Sequence, residues 1–411
     1  MKNSRHRKKL LVLAPRWPYP PVAGGTLFLL NVAKALRGHR LTLLSLCNSR
    51  EEMEYEPADG LFAEIHKVYH PKWKSAFSVL GALPTRTPLQ LAYYRSNEFR
   101  NRVGELLPRH DAVFAHLIRT GQYVSGQTQC ASVLLMADAI SLAYSRMVKL
   151  SAGSSLWRWL YRLELDRLFT YECNAARGFH QTWLHSDTDR DFLGLDLEHV
   201  RTVPIGVDLD GFPYRRHSHG DVVAFIGNMS FSLNRDACFH FIQAILPLLR
   251  KEADIRFRVI GACPQKVKKQ LERHRGVEVT GKVAKIADAV NGVFCGVCPL
   301  RAGAGIQNKI LNYLALGIPC VTSRVGLEGL SAVEGSELLV YEREEDAAKM
   351  ILSLRANFQS QVQLAKNGRG FVERAHDWVQ IHKMVRSNVS DLLGSPEEDI
   401  SLSYSPVHIG N

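Results

Sequence analysis

The sequence predicts an α/β protein made of two Rossmann-like domains that face a central cleft. Three observations carry that prediction. Short apolar runs alternate with helix-length amphipathic runs, the pattern of a parallel sheet covered by helices. The alternation stops at a polar stretch, Tyr214 to Gly220, and then begins again. A length of 411 residues, 46% of them apolar, exceeds one ordinary core and suits two.

In the first half, strands are expected at Leu10–Pro15, Leu41–Leu46, Ala112–Ala115, Ser132–Met136, Gly178–Leu184 and Val200–Pro204. Each is a short apolar run bounded by polar or turn-forming residues. Between them lie helical patterns at Thr26–Leu36, Phe99–Leu107 and Ser155–Ala176. The phrase Pro204-Ile-Gly-Val-Asp208 has the composition of a linker. After it, strands are expected at Val222–Gly227, Arg256–Gly261, Val277–Thr280, Gly292–Cys298 and Ile318–Ser323, with helices at Arg235–Leu249 and Gln265–His274. The expected domains are therefore residues 1–205 and 206–375, with a helix at 376–394 returning to the first domain. Residues 395–411, rich in Ser, Pro and acidic side chains, are expected to form a mobile tail.

The densest chemistry follows the strand Gly292–Cys298, in Pro299-Leu-Arg-Ala-Gly-Ala-Gly-Ile-Gln-Asn-Lys-Ile-Leu-Asn-Tyr-Leu-Ala-Leu-Gly317. Gly303 and Gly305 allow a ligand to approach the backbone closely. A helix expected to start near Ile306 would aim unpaired amides and a partial positive charge at that loop, which suits a phosphate. Arg301 and Lys309 add a cation at either end. The competing reading is a tight turn that needs small residues. A second glycine pair, Gly24 and Gly25, follows the first strand but lacks both the P-loop ending and the dinucleotide spacing.

His116 and Asp138 each end an apolar run, where the carboxyl end of a strand meets the ligand face of an open sheet. His116 faces that cleft or serves as a core histidine. Asp138 binds hydroxyl groups or caps the next helix. Arg119 lies just beyond His116. Glu164 and Glu172 share one helical pattern with Arg158, Arg162 and Arg167, which reads as a salt-bridged face.

The net charge of +12 is uneven: residues 1–205 hold 27 Lys and Arg against 18 Asp and Glu. An anionic partner suits that half, or it is simply a solvated basic face. Recognition-helix, zinc-finger and RNA-binding signatures are missing, so no nucleic-acid partner is expected. Cys295 and Cys298 form a C-x-x-C inside a core-like strand without a second ligand pair, so no metal site is expected. The basic start is followed by only five apolar residues before Pro15, too few for a signal peptide, and no run reaches membrane-spanning length. A cytoplasmic chain is expected, peripheral at the inner membrane face if the apolar, proline-broken stretch Ser75–Tyr94 meets an anionic lipid surface.

The run Arg301–Pro319 resembles the donor-site signature of retaining GT-B glycosyltransferases of the large family four, and in particular the sugar transferases linked to exosortase and exopolysaccharide systems. Pro20–Gly25, Val203–Asp208, Phe225–Met229, Asn234–Asp236, Gly326–Gly329 and Ala375–Trp378 fit the same family in order. The resemblance implies a GT-B fold and transfer of a sugar from a nucleotide-diphosphate donor to a glycan or lipid-linked acceptor, with retained configuration. Cell-surface polysaccharide or glycoconjugate synthesis is the implied setting. No cofactor and no protein-bound metal are implied. Gly24, Gly25, Asn228, Arg235, Arg301, Gly303, Gly305, Ile306, Lys309 and Asn312 would bind the donor. His116 would contact the donor sugar as the catalytic histidine, and Arg119 and Asp138 would meet the acceptor. The family usually has a glutamate where this chain has Asn312. Alternatives are an inactive glycosyltransferase-like subunit, which Asn312 motivates, and a nucleotide-sugar epimerase.

Overall fold

The computed structural model describes residues 7–21, 24–124, 130–150, 155–214 and 220–394. The expected tail, 395–411, and much of the polar stretch after Tyr214 lie outside the described residues. The chain divides into two units: one takes Met1–Val203 and resumes at Ile381, the other takes Pro204–Gln380.

The first unit is a seven-stranded parallel sheet. Its strands are β1 (Lys9–Ala14), β2 (Arg40–Cys47), β3 (Glu64–Tyr69), β4 (Ala112–His116), β5 (Ala131–Ala137), β6 (Gln181–Leu184) and β7 (Val200–Thr202), in spatial order β3-β2-β1-β4-β5-β6-β7. The strand order reverses direction beside β1, between β1 and β4, which is where open sheets of this kind place ligands. Central β1 reads as a continuous apolar run because helices cover both its faces; Leu10 to Ala14 are buried.

The second unit repeats the plan with six parallel strands: β8 (Val222–Ile226), β9 (Arg256–Ile260), β10 (Val277–Gly281), β11 (Val293–Cys298), β12 (Cys320–Ser323) and β13 (Leu339–Tyr341). Their order is β10-β9-β8-β11-β12-β13. Phe225, Phe241, Phe257, Phe294 and Tyr313 are fully buried in its core. Cys295 and Cys298 lie buried in β11.

Two strands escaped the sequence reading. β3 is a polar edge strand in which only Val68 is buried, and β13 has three residues. The segment expected as one helix at Arg235–Leu249 is α-helical over Ser232–His240, a π-turn over Phe241–Ile245, and α-helical again over Leu246–Leu249. Pro247 explains part of this, since it has no N–H to give the carbonyl four residues back.

The expected linker phrase is fastened within the second unit. The Val207 amide donates to His376 O at 2.7 Å, and His376 Nδ1 pairs with Ile205 O at 2.7 Å. The Trp378 ring fills the space a side chain on Gly206 would need, only 2.3 Å from such a β-carbon. The helix Trp378–Leu393 then carries the chain into the first unit, where Gln181 Nε2 donates to Asn388 O at 2.9 Å.

Candidate functional site

Each unit gathers predicted residues at the carboxyl ends of its own strands. In the first, His116 ends β4 and is buried, with Nε2 lacking a hydrogen-bond partner among the described residues. Burial pushes its imidazole down to about 3, with Arg119 and His185 adding to the effect. The ring is therefore neutral across the physiological range. A β-carbon on Gly25 would lie 3.8 Å from His116 Cε1, so the glycine leaves that ring edge open. Gly24 and Gly25, expected just before a helix starting at Thr26, form the first turn of the helix Gly24–Ala35.

The residue after His116, Leu117, has φ of 63°, and Ala137, before Asp138, has φ of 70°. Non-glycine residues rarely hold this left-handed conformation, and the strain is of order 1 kcal/mol each. Both lie at the carboxyl ends of neighbouring strands, β4 and β5, beside the two residues singled out from sequence.

Asp138 Oδ1 is shut off from water and has no hydrogen-bond partner among the described residues. It does not cap the helix Ile140–Leu150. Glu172 does that from another helix, accepting the Ile140 amide at 2.8 Å and the Ser141 amide at 3.3 Å, together with the Ser141 hydroxyl. Asp189 accepts the Ala139 amide at 3.0 Å. Two buried carboxylates thus hold the backbone of this turn and leave Asp138 Oδ1 without a partner among the described residues. Desolvation raises Asp138 to about 6, Asp189 to about 6 and Glu172 to about 7. Glu172 is fully buried and holds a neighbouring turn instead of joining a salt-bridged face; Glu164 does pair with Arg167, at 3.1 Å, with Glu164 buried and Arg167 half-buried.

His185, also fully desolvated, packs edge-on against Phe28 at 4.4 Å between ring centroids. Burial lowers it to about 4. Arg119 lies with its guanidinium 5.1 Å from the centre of the Tyr94 ring, and its Nε donates to Gln90 Oε1 at 3.3 Å. His185 and Asp189 carry no signal in the sequence, and the capping role of Glu172 carries none either, because their partners lie 18 to 50 residues away.

In the second unit, β11 runs into the loop 299–307 and then the helix Asn308–Leu316. The helix begins at Asn308, two residues later than expected, so Ile306 sits buried in the loop and Gln307 takes the N-cap position. No side chain caps that end and its first turn carries no acidic residue. Its amides and the positive end of its dipole are thus unopposed. Gly305 has φ of 68°, so the loop needs glycine there. Gly303 is buried.

Lys309 Nζ lies 3.0 Å from Gln307 Oε1 and 5.4 Å from the centre of the Phe225 ring. Among the described residues no carboxylate lies within salt-bridge distance of it. Arg301 differs: its guanidinium makes a two-pronged pair with Asp236, one prong at 3.0 Å from Nε. Asn312 is half-buried on the same helix. Arg235 donates to the carbonyls of Met229, at 3.0 Å, and Ser230, at 2.8 Å, while Asn228 Oδ1 accepts the Ser230 amide at 2.8 Å. These two residues brace the loop that follows β8.

Tyr313 is buried on the helix Asn308–Leu316. Its hydroxyl accepts the Ile226 amide at 2.7 Å and reaches Ala224 O at 3.1 Å and Val297 O at 3.3 Å, tying the helix to β8 and β11. Its ring lies on Gly296, where a β-carbon would come within 2.5 Å. Gly317, at φ 74°, closes the helix, with the Ile318 amide donating to Tyr313 O at 2.8 Å. Tyr313 therefore fixes the rotation at which Lys309 and Asn312, one turn and one residue earlier, are presented.

Residues 220–357 match the family described as glycosyl transferases group 1. A 44.6 kDa protein in the cps region of Klebsiella pneumoniae is 23% identical over 389 residues, covering 90% of this chain and 96% of that one. Among solved structures, HepE from Anabaena, crystallised with UDP, is similar with a TM-score of 0.68 at 15% identity, covering 93% of this chain and 100% of that chain. The sucrose-phosphate synthase of Thermosynechococcus elongatus gives a TM-score of 0.70 at 14% identity, covering 94% of this chain and 100% of that chain. Residues 220–357 therefore carry a glycosyl transferases group 1 domain, within a chain of the GT-B fold.

Proposed function

We propose that this chain is a retaining, metal-independent glycosyltransferase that moves a sugar from a nucleotide-diphosphate donor to a glycan or lipid-linked acceptor. The observation that carries the reading is the segment from Arg301 to Leu316. It sets a glycine loop, an uncapped helix start and a lysine with no carboxylate partner among the described residues at the carboxyl end of the central strands. A diphosphate leaving group develops negative charge as the glycosidic bond breaks. Fixed amides and a cation already in place stabilise that charge without reorganisation. Asn312 would take the ribose hydroxyls in the place of the family's glutamate. HepE, similar in fold, is known with UDP and with UDP-glucose, which supports a nucleotide-sugar donor. The cps-region relative supports a role in surface polysaccharide synthesis.

On the first unit, the Nε2 of the neutral His116, without a partner among the described residues, suits a hydrogen bond to a donor-sugar hydroxyl. Asp138 and Arg119 are assigned to the acceptor, since Asp138 keeps an unspent carboxylate oxygen in a desolvated place.

The test is a thermal-shift screen with UDP-, GDP-, ADP- and dTDP-sugars, repeated on Lys309→Ala. One nucleotide sugar should raise the Tm of the wild type. In the variant its binding should weaken by roughly 1–3 kcal/mol, the range for a charged hydrogen bond. Unchanged affinity in Lys309→Ala would remove the site, and isomerisation of the sugar without any acceptor would point to an epimerase.

A further inference from the structure

The helix Lys72–Ala82 is built inside out. Its small residues Ser75 and Ala82 face the protein and are buried. Its large apolar residues face water: Trp73 is 60% exposed, Phe77 68% and Leu80 61%, with Leu83 just beyond it at 43%. Positions 73, 77 and 80 follow the helical repeat, so they form one face. Trp73 and Phe77 touch edge to face, their centroids 6.2 Å apart. Isolated exposed apolar side chains are ordinary on protein surfaces, but a contiguous ridge of this kind marks a contact surface.

The charge around the ridge chooses the partner. From Pro71 to Asn97 the sequence contains Lys72, Lys74, Arg86 and Arg95 and not one Asp or Glu. Lys72, Lys74 and Arg86 are exposed. Lys74 Nζ lies 5.7 Å from the Trp73 ring centre, so cation and aromatic ring share one edge of the helix. The end of the segment is pinned from below: Arg167 donates to Leu83 O at 2.8 Å, and Glu164 accepts the Leu89 amide at 2.7 Å. The ridge is thus held on a fixed base. A second copy of the chain would bring like charges together on this face. A bilayer rich in anionic phospholipid offers an apolar layer beneath a negative surface, matching aromatic residues flanked by lysines.

We infer that the helix Lys72–Ala82 docks the chain on an anionic phospholipid bilayer, with Trp73, Phe77 and Leu80 entering the interface and Lys72, Lys74 and Arg86 at the headgroups. This extends the acceptor half of the proposed function, because a lipid-linked acceptor is presented at such a surface, but it needs no transfer activity.

The experiment is flotation of the full chain with vesicles of phosphatidylcholine alone or mixed with phosphatidylglycerol, at low ionic strength and without a sugar donor. The wild type should float with the anionic vesicles only. Trp73→Ser with Phe77→Ser, both at exposed positions, should cut partitioning at least about tenfold with unchanged circular dichroism. Lys72→Gln with Lys74→Gln should leave binding that is weaker and less sensitive to salt. Three results would overturn the inference: no flotation of the wild type, undiminished flotation of the aromatic double variant, or a vesicle-free dimer of the wild type that the same variant dissolves. Because no donor is present, failure here and failure of the transferase reading are separate outcomes.

Discussion

At the carboxyl end of the first sheet the candidate residues are His116 and Asp138, each with a polar atom out of reach of water and without a hydrogen-bond partner among the described residues. At the carboxyl end of the second they are Arg301 and Lys309 beside an uncapped helix. The two sheets share a strand order through six strands, so topology does not explain the contrast. The first end is dry and holds a neutral imidazole and a desolvated carboxyl in place with strained backbone and buried carboxylates. The second manages charge with cations, glycines and amides. Under the proposed function a sugar and a diphosphate set two kinds of work, and each unit's side chains suit one of them.

The comparison can be broken most decisively at His116. His116→Ala should lower the transfer rate by about two orders of magnitude or more, while the thermal transition persists. Wild-type turnover would make His116 a core residue. Such a loss fits the dry first site as the one facing the reacting sugar.

Next in size is the titration of Asp138. Its folded pKa of about 6 is raised above the unfolded value. The folded form therefore keeps a proton that the unfolded chain loses. The stability this group contributes is fully present below about 4 and lost as the pH rises through about 6. Asp138→Asn removes that slope. Relative to the wild type, the variant should gain up to about 2 kcal/mol on going from pH 4.5 to pH 7.5, read from urea melts at each pH. A parallel pair of stability curves would show that Asp138 is solvated after all.

Much of this architecture was legible in the sequence. The central strands β8 and β11 are apolar throughout and β1 is apolar after Lys9, and burial on both faces explains why. The edge strand β3 was not legible because it buries little and leaves little pattern, and β13 because it has only three residues. The glycine loop and Lys309 were visible because their chemistry is local. The partners that complete each site were invisible because they are distant: Asp236 is 65 residues from Arg301, and Glu172 is 31 from Ser141. Tyr313 was hidden for another reason. A tyrosine in an apolar helix stripe reads as core, and only the fold shows its hydroxyl meeting two strands.

That hydroxyl supplies the third test. Tyr313→Phe leaves the buried Ile226 amide without its acceptor and should cost roughly 1–3 kcal/mol of stability. If the helix also shifts, donor affinity should fall together with stability; if affinity holds, the loop alone positions Lys309. The smallest effect is expected at Arg301. Because Asp236 already neutralises it, Arg301→Ala should weaken donor binding by less than about 1 kcal/mol, well short of Lys309→Ala. Calorimetric titration of both variants with the same nucleotide sugar checks the ranking, and a larger loss at Arg301 would mean that the ion pair opens for the ligand.

The return of the chain to the first unit at Ile381 has a consequence for biosynthesis. Domains fold as units while the ribosome extends the chain. Here the nascent chain delivers the seven strands of the first sheet early, yet the helix that meets Gln181 through Asn388 and Arg201 through Asp391 is translated after the entire second unit. The first unit to emerge is thus the last to be completed. Until then the apolar side chains that Ile381, Val385 and Val389 will cover stay open to solvent, a window in which chaperones have something to hold.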